Sequence, residues 1–179
     1  RILLPGPLGR VPGATLASFY RSAREIGGDY YDAVPTSDGR VLLVVADVMG
    51  KGVNAALLAA YLVGLFDALA QSHTPLPEML SIMNRRVARR TRRRSMFATC
   101  MLVEARVKAK TWTFCRAGHE HPLLFRADGR AWEIEGGQSL PLGVEAREKY
   151  QVCVSQLEAG DKILLVTDGG LEVGLTYER

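Results

Sequence analysis

The chain of 179 residues is poor in the features that mark secreted, membrane and zinc-thiolate proteins. Its three cysteines, Cys100, Cys115 and Cys153, lie inside apolar runs without metal-ligand spacing, so we expect free thiols in a reducing cytoplasm. No uninterrupted apolar run reaches the roughly 20 residues that a membrane-spanning helix needs, and no signal peptide is expected. These absences favour a cytoplasmic domain over a secreted or membrane-embedded one.

The chain also lacks a large excess of positive over negative charge. The 23 Lys and Arg residues against 19 Asp and Glu give a formal net charge of +4, which argues against a generally basic surface that binds nucleic acid. The one basic run, from Arg85 to Arg94, contains no aromatic residue of the kind that stacks on bases. We therefore expect no nucleic-acid partner. The hydrophobic share of 47% argues against disorder and fits one globular domain with a sizeable core.

The order of periodic segments predicts an α+β domain. Apolar residues recur at helical spacing from 53 to 72 and again from 75 to 91, and strand-like runs lie on both sides of this helical pair. Strands are expected at 14–20, 29–34, 40–46, 97–107, 111–117, 122–126, 150–154 and 162–166. The expected buried face of the first helix is Val53, Leu57, Ala60, Gly64, Leu65 and Ala68. The expected stripe of the second, opposite its arginines, is Leu76, Leu80, Met83 and Val87.

Three aspartates stand beside glycine-containing turns where strand-like runs begin or end. Asp29 follows two glycines, Asp47 follows the aliphatic run 40–46, and Asp168 precedes Gly169. Mg²⁺ and Mn²⁺ prefer carboxylate and carbonyl oxygens, and glycine lets the backbone approach an ion closely. The three turns together therefore indicate a divalent-cation site, although each Asp taken alone is also typical of a capped turn.

The acidic turns belong to a set of six short segments in a recognisable order. The set resembles the SpoIIE-like bacterial branch of the PPM, or phosphatase 2C-like, metal-dependent serine/threonine phosphatases. The resemblance runs from about Leu3 to Glu172. The segments are Ala23-Arg24-Glu25-Ile26-Gly27-Gly28-Asp29-Tyr30-Tyr31-Asp32, Asp47-Val48-Met49-Gly50-Lys51-Gly52, Met96-Phe97-Ala98-Thr99, Ala117-Gly118-His119, Leu140-Pro141-Leu142-Gly143 and Thr167-Asp168-Gly169.

The resemblance implies a fold and a metal centre. The fold is two stacked antiparallel β-sheets flanked by helices, an α-β-β-α sandwich, with residues 1–179 as a single domain. We expect a C-terminal segment that carries one more metal-binding Asp, and upstream regulatory domains, to lie outside these residues. The centre holds two Mn²⁺ or Mg²⁺ ions. Asp29 and Asp47 are the catalytic metal ligands, with Asp47 bridging both ions, the Val48 carbonyl is a further ligand, and Asp168 completes the shell of the second ion.

The same resemblance implies a function. The domain is expected to hydrolyse phosphoserine or phosphothreonine on a phosphorylated partner protein, typically a STAS-type anti-anti-sigma factor in bacterial stress or developmental signalling. Residues 51–72 are the expected regulatory switch, and a dimer through this helical region is a further expectation. The alternative is a catalytically weak regulatory or binding module that keeps the fold. The expected absence of the last metal-binding Asp motivates that alternative.

Two other features each have two interpretations. The arginines from Arg85 to Arg94 form either a solvated helix face or a docking face for an acidic or phosphorylated partner. His119 and His121 have the spacing of a soft-metal pair, but hydrogen bonding in the turn between strands is the favoured role of His119. Lys51 lacks the neighbours of a nucleotide-binding P-loop, so the glycines beside it are expected to permit the turn into the first helix.

Overall fold

The computed structural model describes residues 10–11, 13–20, 27–92 and 96–169. In these ranges two α-helices, α1 (Val53–Ala70) and α2 (Leu76–Thr91), lie between strands that precede and follow them. The strands are β1 (Arg10–Val11), β2 (Ala14–Thr15), β3 (Tyr30–Pro35), β4 (Val41–Val48), β5 (Ala98–Arg106), β6 (Thr111–Ala117), β7 (Leu123–Phe125), β8 (Ala131–Glu133), β9 (Cys153–Gln156) and β10 (Lys162–Leu164). A 3₁₀ turn, Val107–Ala109, joins β5 to β6.

Antiparallel pairing groups the described strands into three sheets. The main sheet has the order β3-β4-β5-β6-β9, the second has the order β10-β7-β8, and β1 pairs with β2. The α+β class is confirmed, and most predicted strands are present with shifted ends. The strand expected at 14–20 is reduced to β2. The sequence does not predict β1, which is too short to show a period, or β8, whose three residues are all exposed and do not alternate.

The main sheet is buried on both faces. Cys100 and Leu102 of β5 belong to the core beneath α1 and α2, whereas Met101 and Val103, which alternate with them, belong to a second cluster. Ile163 of β10 packs against that second cluster, so the two larger sheets stack face to face as predicted. Both described helices cover the other face of the main sheet, and neither covers the outer face of the three-stranded sheet.

The face of α1 that packs in the core differs from the predicted face. Val53 and Leu57, expected inside, are 65% and 64% exposed. Because α1 is apolar nearly all round, with polar groups only on Asn54, Tyr61 and Asp67, helical spacing could not select one face. This composition also makes α1 long and apolar enough to cross a membrane, but its inner face packs against β4. The buried residues are Ala55, Leu58, Ala59, Leu62, Phe66 and Ala70.

The apolar stripe predicted for α2 is confirmed. Leu76, Leu80, Met83 and Val87 are all buried against the main sheet and α1. The arginines on the other side of the helix are exposed where the structure describes them, whereas Arg93 and Arg94 lie outside the described residues. The helix therefore presents a basic surface to solvent and an apolar one to the core.

The three cysteines have a structural role. Cys100 and Cys115 are buried and Cys153 is half-buried, and none of them forms a disulfide. Burial raises the pKa of Cys115 to about 12, so this thiol stays protonated and packs as a small hydrophobic group. The prediction of free thiols is confirmed.

Candidate metal centre

Strand pairing brings two of the predicted aspartates to one end of the main sheet. Asp29 immediately precedes β3, and Asp47 is the second-last residue of β4. The register places Tyr30 opposite Ala46, so the start of β3 meets the end of β4. Asp47 is itself paired with Thr99 of β5. The sheet therefore fixes the backbone from which both carboxyl groups arise.

Asp29 and Asp47 are joined by a side-chain hydrogen bond. Partial burial raises the pKa of both carboxyl groups, and the nearby charge of Asp29 helps to bring that of Asp47 to about 7. One proton shared between the two carboxyl groups relieves their repulsion near neutral pH. The charge of Asp168, which follows β10, raises both pKa values further. Such a pair favours exchange of its proton for a cation.

A cavity of about 50 Å³ opens beside Asp47. This volume admits a few groups of the size of a water molecule or a small cation. Most of its lining residues are polar, and Asp168 contributes an exposed carboxylate. The lining residues are Asp47, Thr99, Gly118, His119, Glu120 and Asp168.

The backbone at Val48 is packed against Gly28. A Cβ atom on residue 28 would lie 2.8 Å from the Val48 carbonyl oxygen, closer than van der Waals contact permits. Glycine at this position therefore lets the Asp29 turn and the Asp47 turn meet. The Val48 carbonyl oxygen lies in the contact between these two acidic turns.

His119 was expected to form hydrogen bonds in the turn between strands. In the structure it also forms part of the cavity wall. Its Nδ1 atom is 2.9 Å from the Thr99 hydroxyl oxygen, and its side chain is buried. Burial lowers the pKa of the imidazole to about 4, so the ring is neutral at physiological pH. The nearby Val166 backbone raises the pKa of the imidazole, but less than burial lowers it. Within the described residues, Nε2 has no hydrogen-bond partner. His119 thus presents an unsatisfied polar atom beside the acidic pair.

Thr99, Gly118 and Glu120 line the cavity without having been predicted as site residues. A signal for two of them was present in the sequence. The segments Met96-Phe97-Ala98-Thr99 and Ala117-Gly118-His119 belong to the resemblance, and both end at this cavity. Glu120 had no sequence signal of its own.

A buried arginine fixes the loop that carries His119. Arg116 donates hydrogen bonds to the carbonyl oxygens of Gly136, at 2.9 Å, and of His119, at 2.5 Å. Its remaining guanidinium nitrogen lies 2.8 Å from Nε2 of His121. Burial lowers the pKa of Arg116 from its ordinary value, and these contacts compensate for its desolvation. The two imidazoles therefore have different surroundings, since that of His119 lines the cavity and that of His121 contacts Arg116.

The donor atoms fit a hard divalent cation in chemical type. Asp29, Asp47, Asp168 and the Val48 carbonyl offer oxygen alone, which Mg²⁺ and Mn²⁺ prefer. Within the described residues, no three His, Cys, Asp or Glu side chains form a closed ligand cluster. Asp29 and Asp47 are in contact, whereas Asp168 interacts with them through its charge. The structure thus joins two of the three predicted carboxylates, and the third, Asp168, lines the cavity beside Asp47.

The chain matches a known protein family over most of its length. The family described as stage II sporulation protein E (SpoIIE) matches residues 37–178. This stretch is most of the chain and includes Asp47, His119 and Asp168. The chain belongs to the SpoIIE family. The resemblance that rested on six short segments is therefore confirmed.

Two curated relatives of this SpoIIE-family chain are phosphoserine phosphatases of Bacillus subtilis (strain 168). RsbU is 30% identical over 151 residues, which cover 84% of this chain and 44% of RsbU. RsbP is 24% identical over 164 residues, which cover 87% of this chain and 39% of RsbP. The chain thus spans less than half the length of the curated relatives it matches.

Solved structures share the fold of this SpoIIE-family domain. The RsbU and RsbW domains of a Mycobacterium tuberculosis protein give a TM-score of 0.72 at 31% identity, over 83% of this chain and 41% of that one. The PP2C phosphatase domain of SpoIIE from Bacillus subtilis gives 0.72 at 20% identity, over 86% and 44%. RsbX in complex with magnesium gives 0.67 at 21% identity, over 84% and 71%. The predicted phosphatase 2C-like fold is confirmed.

Proposed function

We propose that this SpoIIE-family domain is a metal-dependent protein serine/threonine phosphatase. The observation that carries the proposal is the hydrogen-bonded pair Asp29 and Asp47 beside a small cavity that Asp168 also lines. Carboxylates that lie this close together are costly unless they bind protons or cations. RsbU and RsbP, which are named phosphoserine phosphatases, support the same activity.

The proposed cofactor is a pair of Mn²⁺ or Mg²⁺ ions. Asp29, Asp47, Asp168 and the Val48 carbonyl would hold them, since all four donors are hard oxygens. The magnesium in the similarly folded RsbX supports this choice. When bound, divalent cations neutralise phosphoryl oxygens and activate solvent for in-line attack.

The chain's own residues have separate tasks in this proposal. Asp29 and Asp47 give up their shared proton as the cations bind, which makes metal affinity rise with pH. Thr99 holds the imidazole of His119 through Nδ1. The neutral ring then offers Nε2 as a hydrogen-bonding atom in the cavity wall, without adding charge.

A Gly28→Ala variant should bind Mn²⁺ about 10-fold more weakly than the unmodified protein, a size typical of changes that displace a ligand indirectly. The added methyl group pushes the Val48 carbonyl away and separates the acidic turns. Isothermal titration calorimetry measures the affinity. Gly64→Ala is the matched control, because a Cβ atom there meets nothing within 4 Å. Equal Mn²⁺ affinities of the two variants would show that the Val48 turn does not contribute to metal binding.

The proposed substrate is a phosphorylated partner protein in the cytoplasm, of the STAS-type anti-anti-sigma class. The names of RsbU and RsbP as phosphoserine phosphatases support a phosphoserine substrate, and the three free cysteines accord with a reducing compartment. Residues 51–72 are proposed as the regulatory and dimer-forming segment. The exposed side chains of Val53 and Leu57 support a protein contact there.

A catalytically weak binding module is the second candidate. The observation in its favour is that the described carboxylates do not form a closed three-ligand cluster. Such a module would keep the fold and bind its partner without releasing phosphate.

Phosphate release from three short peptides separates the two candidates. The peptides carry phosphoserine, phosphothreonine or phosphotyrosine and are incubated with Mn²⁺, with Mg²⁺ or with EDTA. The phosphatase should release phosphate from the first two in the presence of metal and from none of them in EDTA. Absence of release under every condition, from the domain with its natural flanking segments, would favour the binding module.

A further inference from the structure

We call the small cavity beside Asp47 the catalytic cavity. A second and larger cavity lies along α2, and the two have no lining residue in common. Its volume of about 690 Å³ is in the range of sites that hold a ligand or a short peptide segment. We call it the α2 groove. It is lined by Arg85, Ala88, Arg89, Thr91, Arg92, Met96, Phe97, Gly143, Val144, Glu145 and Ala146.

Three arginines form the helical wall of the α2 groove. Arg85, Arg89 and Arg92 are spaced by four and three residues, which places them on one face, and all three are exposed. No described carboxylate forms an ion pair with any of them. Arg90 differs, because its guanidinium lies 4.6 Å from the ring centre of Tyr61 on α1. Arg90 is therefore used within the fold, whereas Arg85, Arg89 and Arg92 face the groove.

The opposite wall is a loop held in place by a buried amide. Asn84 of α2 is fully buried and donates to the Glu145 carbonyl at 2.7 Å, and its own carbonyl accepts from the Gly143 amide at 2.8 Å. A Cβ atom on residue 143 would lie 2.9 Å from Val87, so glycine there lets the loop sit close against α2. The groove is thus a built feature with two fixed walls.

The α2 groove reaches the neighbourhood of the catalytic cavity. Phe97 lines the groove, and Thr99, two residues later, lines the cavity. The Phe97 carbonyl accepts a hydrogen bond from the Met49 amide at 3.0 Å, and Met49 directly follows the Val48 turn. A polypeptide lying in the groove can therefore extend toward the acidic pair.

We propose that the α2 groove binds an acidic segment of the phosphoprotein substrate and orients its phosphorylated residue toward the catalytic cavity. This inference rests on the proposed phosphatase function. Guanidinium groups bind carboxylates in a bidentate manner, and Arg85, Arg89 and Arg92 have no carboxylate partner of their own among the described residues.

Spacing favours an extended peptide. Along the helix axis Arg85 and Arg89 are about 6 Å apart, and Arg89 and Arg92 about 4.5 Å. Alternate residues of an extended chain are about 6.6 Å apart, and the long, flexible arginine side chains can reach acidic residues at this repeat. Met96 and Val144 add an apolar lining for the peptide residues that lie between the acidic ones.

Binding of a fluorescent peptide of alternating Glu and Ala tests the groove without any need for catalysis. Fluorescence anisotropy at low salt should show about 10-fold weaker binding for the groove variant Arg85→Gln/Arg89→Gln/Arg92→Gln than for the unmodified protein. The control variant Lys108→Gln/Lys149→Gln/Lys162→Gln loses the same charge from exposed positions outside the groove. It should bind the peptide within about twofold of the unmodified protein. Equal loss in both variants would overturn the groove as a specific site.

Kinetic selectivity tests the link to the substrate. Two phosphoserine peptides are compared, one with flanking Glu residues at alternate positions and one with Gln in their place. The unmodified protein should prefer the acidic peptide about 10-fold in kcat/KM, chiefly through KM, and the groove variant should lose most of this preference. Preference retained in the groove variant would contradict the proposal. Failure to release phosphate from either peptide would count against the phosphatase function, while the anisotropy result would still decide the groove.

Competition identifies the class of partner. Excess unlabelled acidic peptide should displace the labelled peptide from the unmodified protein more effectively than an oligothymidylate or vesicles that contain anionic lipid. Stronger displacement by the oligonucleotide or by the vesicles would overturn the assignment of the groove to a protein segment.

Discussion

An Asp47→Asn variant should lose about a thousandfold or more in kcat toward phosphopeptides in the presence of Mn²⁺. Asp47 touches Asp29, pairs with Thr99 through the backbone and lines the catalytic cavity. Asparagine has nearly the same size, and its amide can donate to Asp29 as the protonated carboxyl does. It lacks the negative charge that holds a divalent cation, so the variant should keep its fold and lose its metal-dependent turnover.

The matched control for this experiment is Asp128→Asn. Asp128 is exposed in the turn between β7 and β8, and it accepts a hydrogen bond from the Arg130 amide that asparagine can also accept. Removing this carboxylate should leave phosphate release within about twofold of the unmodified protein. Turnover by Asp47→Asn at a rate comparable to that of Asp128→Asn would refute the metal centre. Circular dichroism of both variants checks that the fold is kept.

Local patterns in the sequence were sufficient for most of the fold. Strand β5 was predictable because it is a nearly continuous apolar run, as expected of a strand that is buried on both faces. Leu102 faces the helices and Val103 the second sheet. The inner face of α1 was not predictable, because residues such as Leu57 and Leu58 are equally apolar and only packing against β4 selects between them. Strand β8 was missed because exposed residues carry no alternation. In each case the missing information was tertiary.

The candidate site divides in the same way. Asp29 and Asp47 were visible because each stands at a strand end beside a glycine turn. The β4–β5 register and a bridge between Cys100 and Gly118 bring Thr99 and His119 to the acidic residues. These contacts join residues far apart in the chain. The sequence therefore indicated the acidic residues and the motif segments that carry Thr99 and His119, but not that these segments meet at one cavity.

The structure explains why the motif segment Ala-Gly-His, which packs against the segment Leu-Pro-Leu-Gly, requires glycine. Gly118 has a φ of 64°, in the left-handed region that favours glycine, and any Cβ atom there would collide with the ring of Pro141. Its amide also donates to the Ser139 carbonyl at 2.8 Å. The Ala-Gly-His and Leu-Pro-Leu-Gly segments thus pack against each other, and together they place His119 beside the cavity and Gly143 beside the α2 groove.

Without metal, the Asp47→Asn variant should be more stable than the unmodified protein above about pH 7, by about 1 to 2 kcal/mol once solvent screening of the half-buried carboxyl is allowed for. In the folded protein the pKa of Asp47 is raised from 3.8 to about 7. Below about pH 4 both folded and unfolded states hold the proton, and the full stability is present. Between about pH 4 and pH 7 the unfolded chain ionises first, so stability falls as the pH rises. Asparagine does not titrate and should remove this part of the pH dependence.

Thermal unfolding in EDTA, followed from about pH 4 to pH 8, measures this difference as a melting temperature about 2 to 8 °C higher for Asp47→Asn at the alkaline end. The two curves should converge at the acid end, where Asp47 is protonated in both states. Mn²⁺ should then reverse the order, because a cation that binds only the folded protein stabilises it by mass action and the variant has lost a ligand. Asp128→Asn should follow the unmodified protein throughout. Parallel pH curves for Asp47→Asn and the unmodified protein, with equal responses to Mn²⁺, would mean that the Asp47 carboxyl neither repels its neighbours nor binds the metal. The combination of lower stability without metal and higher stability with it is what a site built from clustered carboxylates requires, since the same repulsion that destabilises the metal-free fold provides the driving force for cation binding.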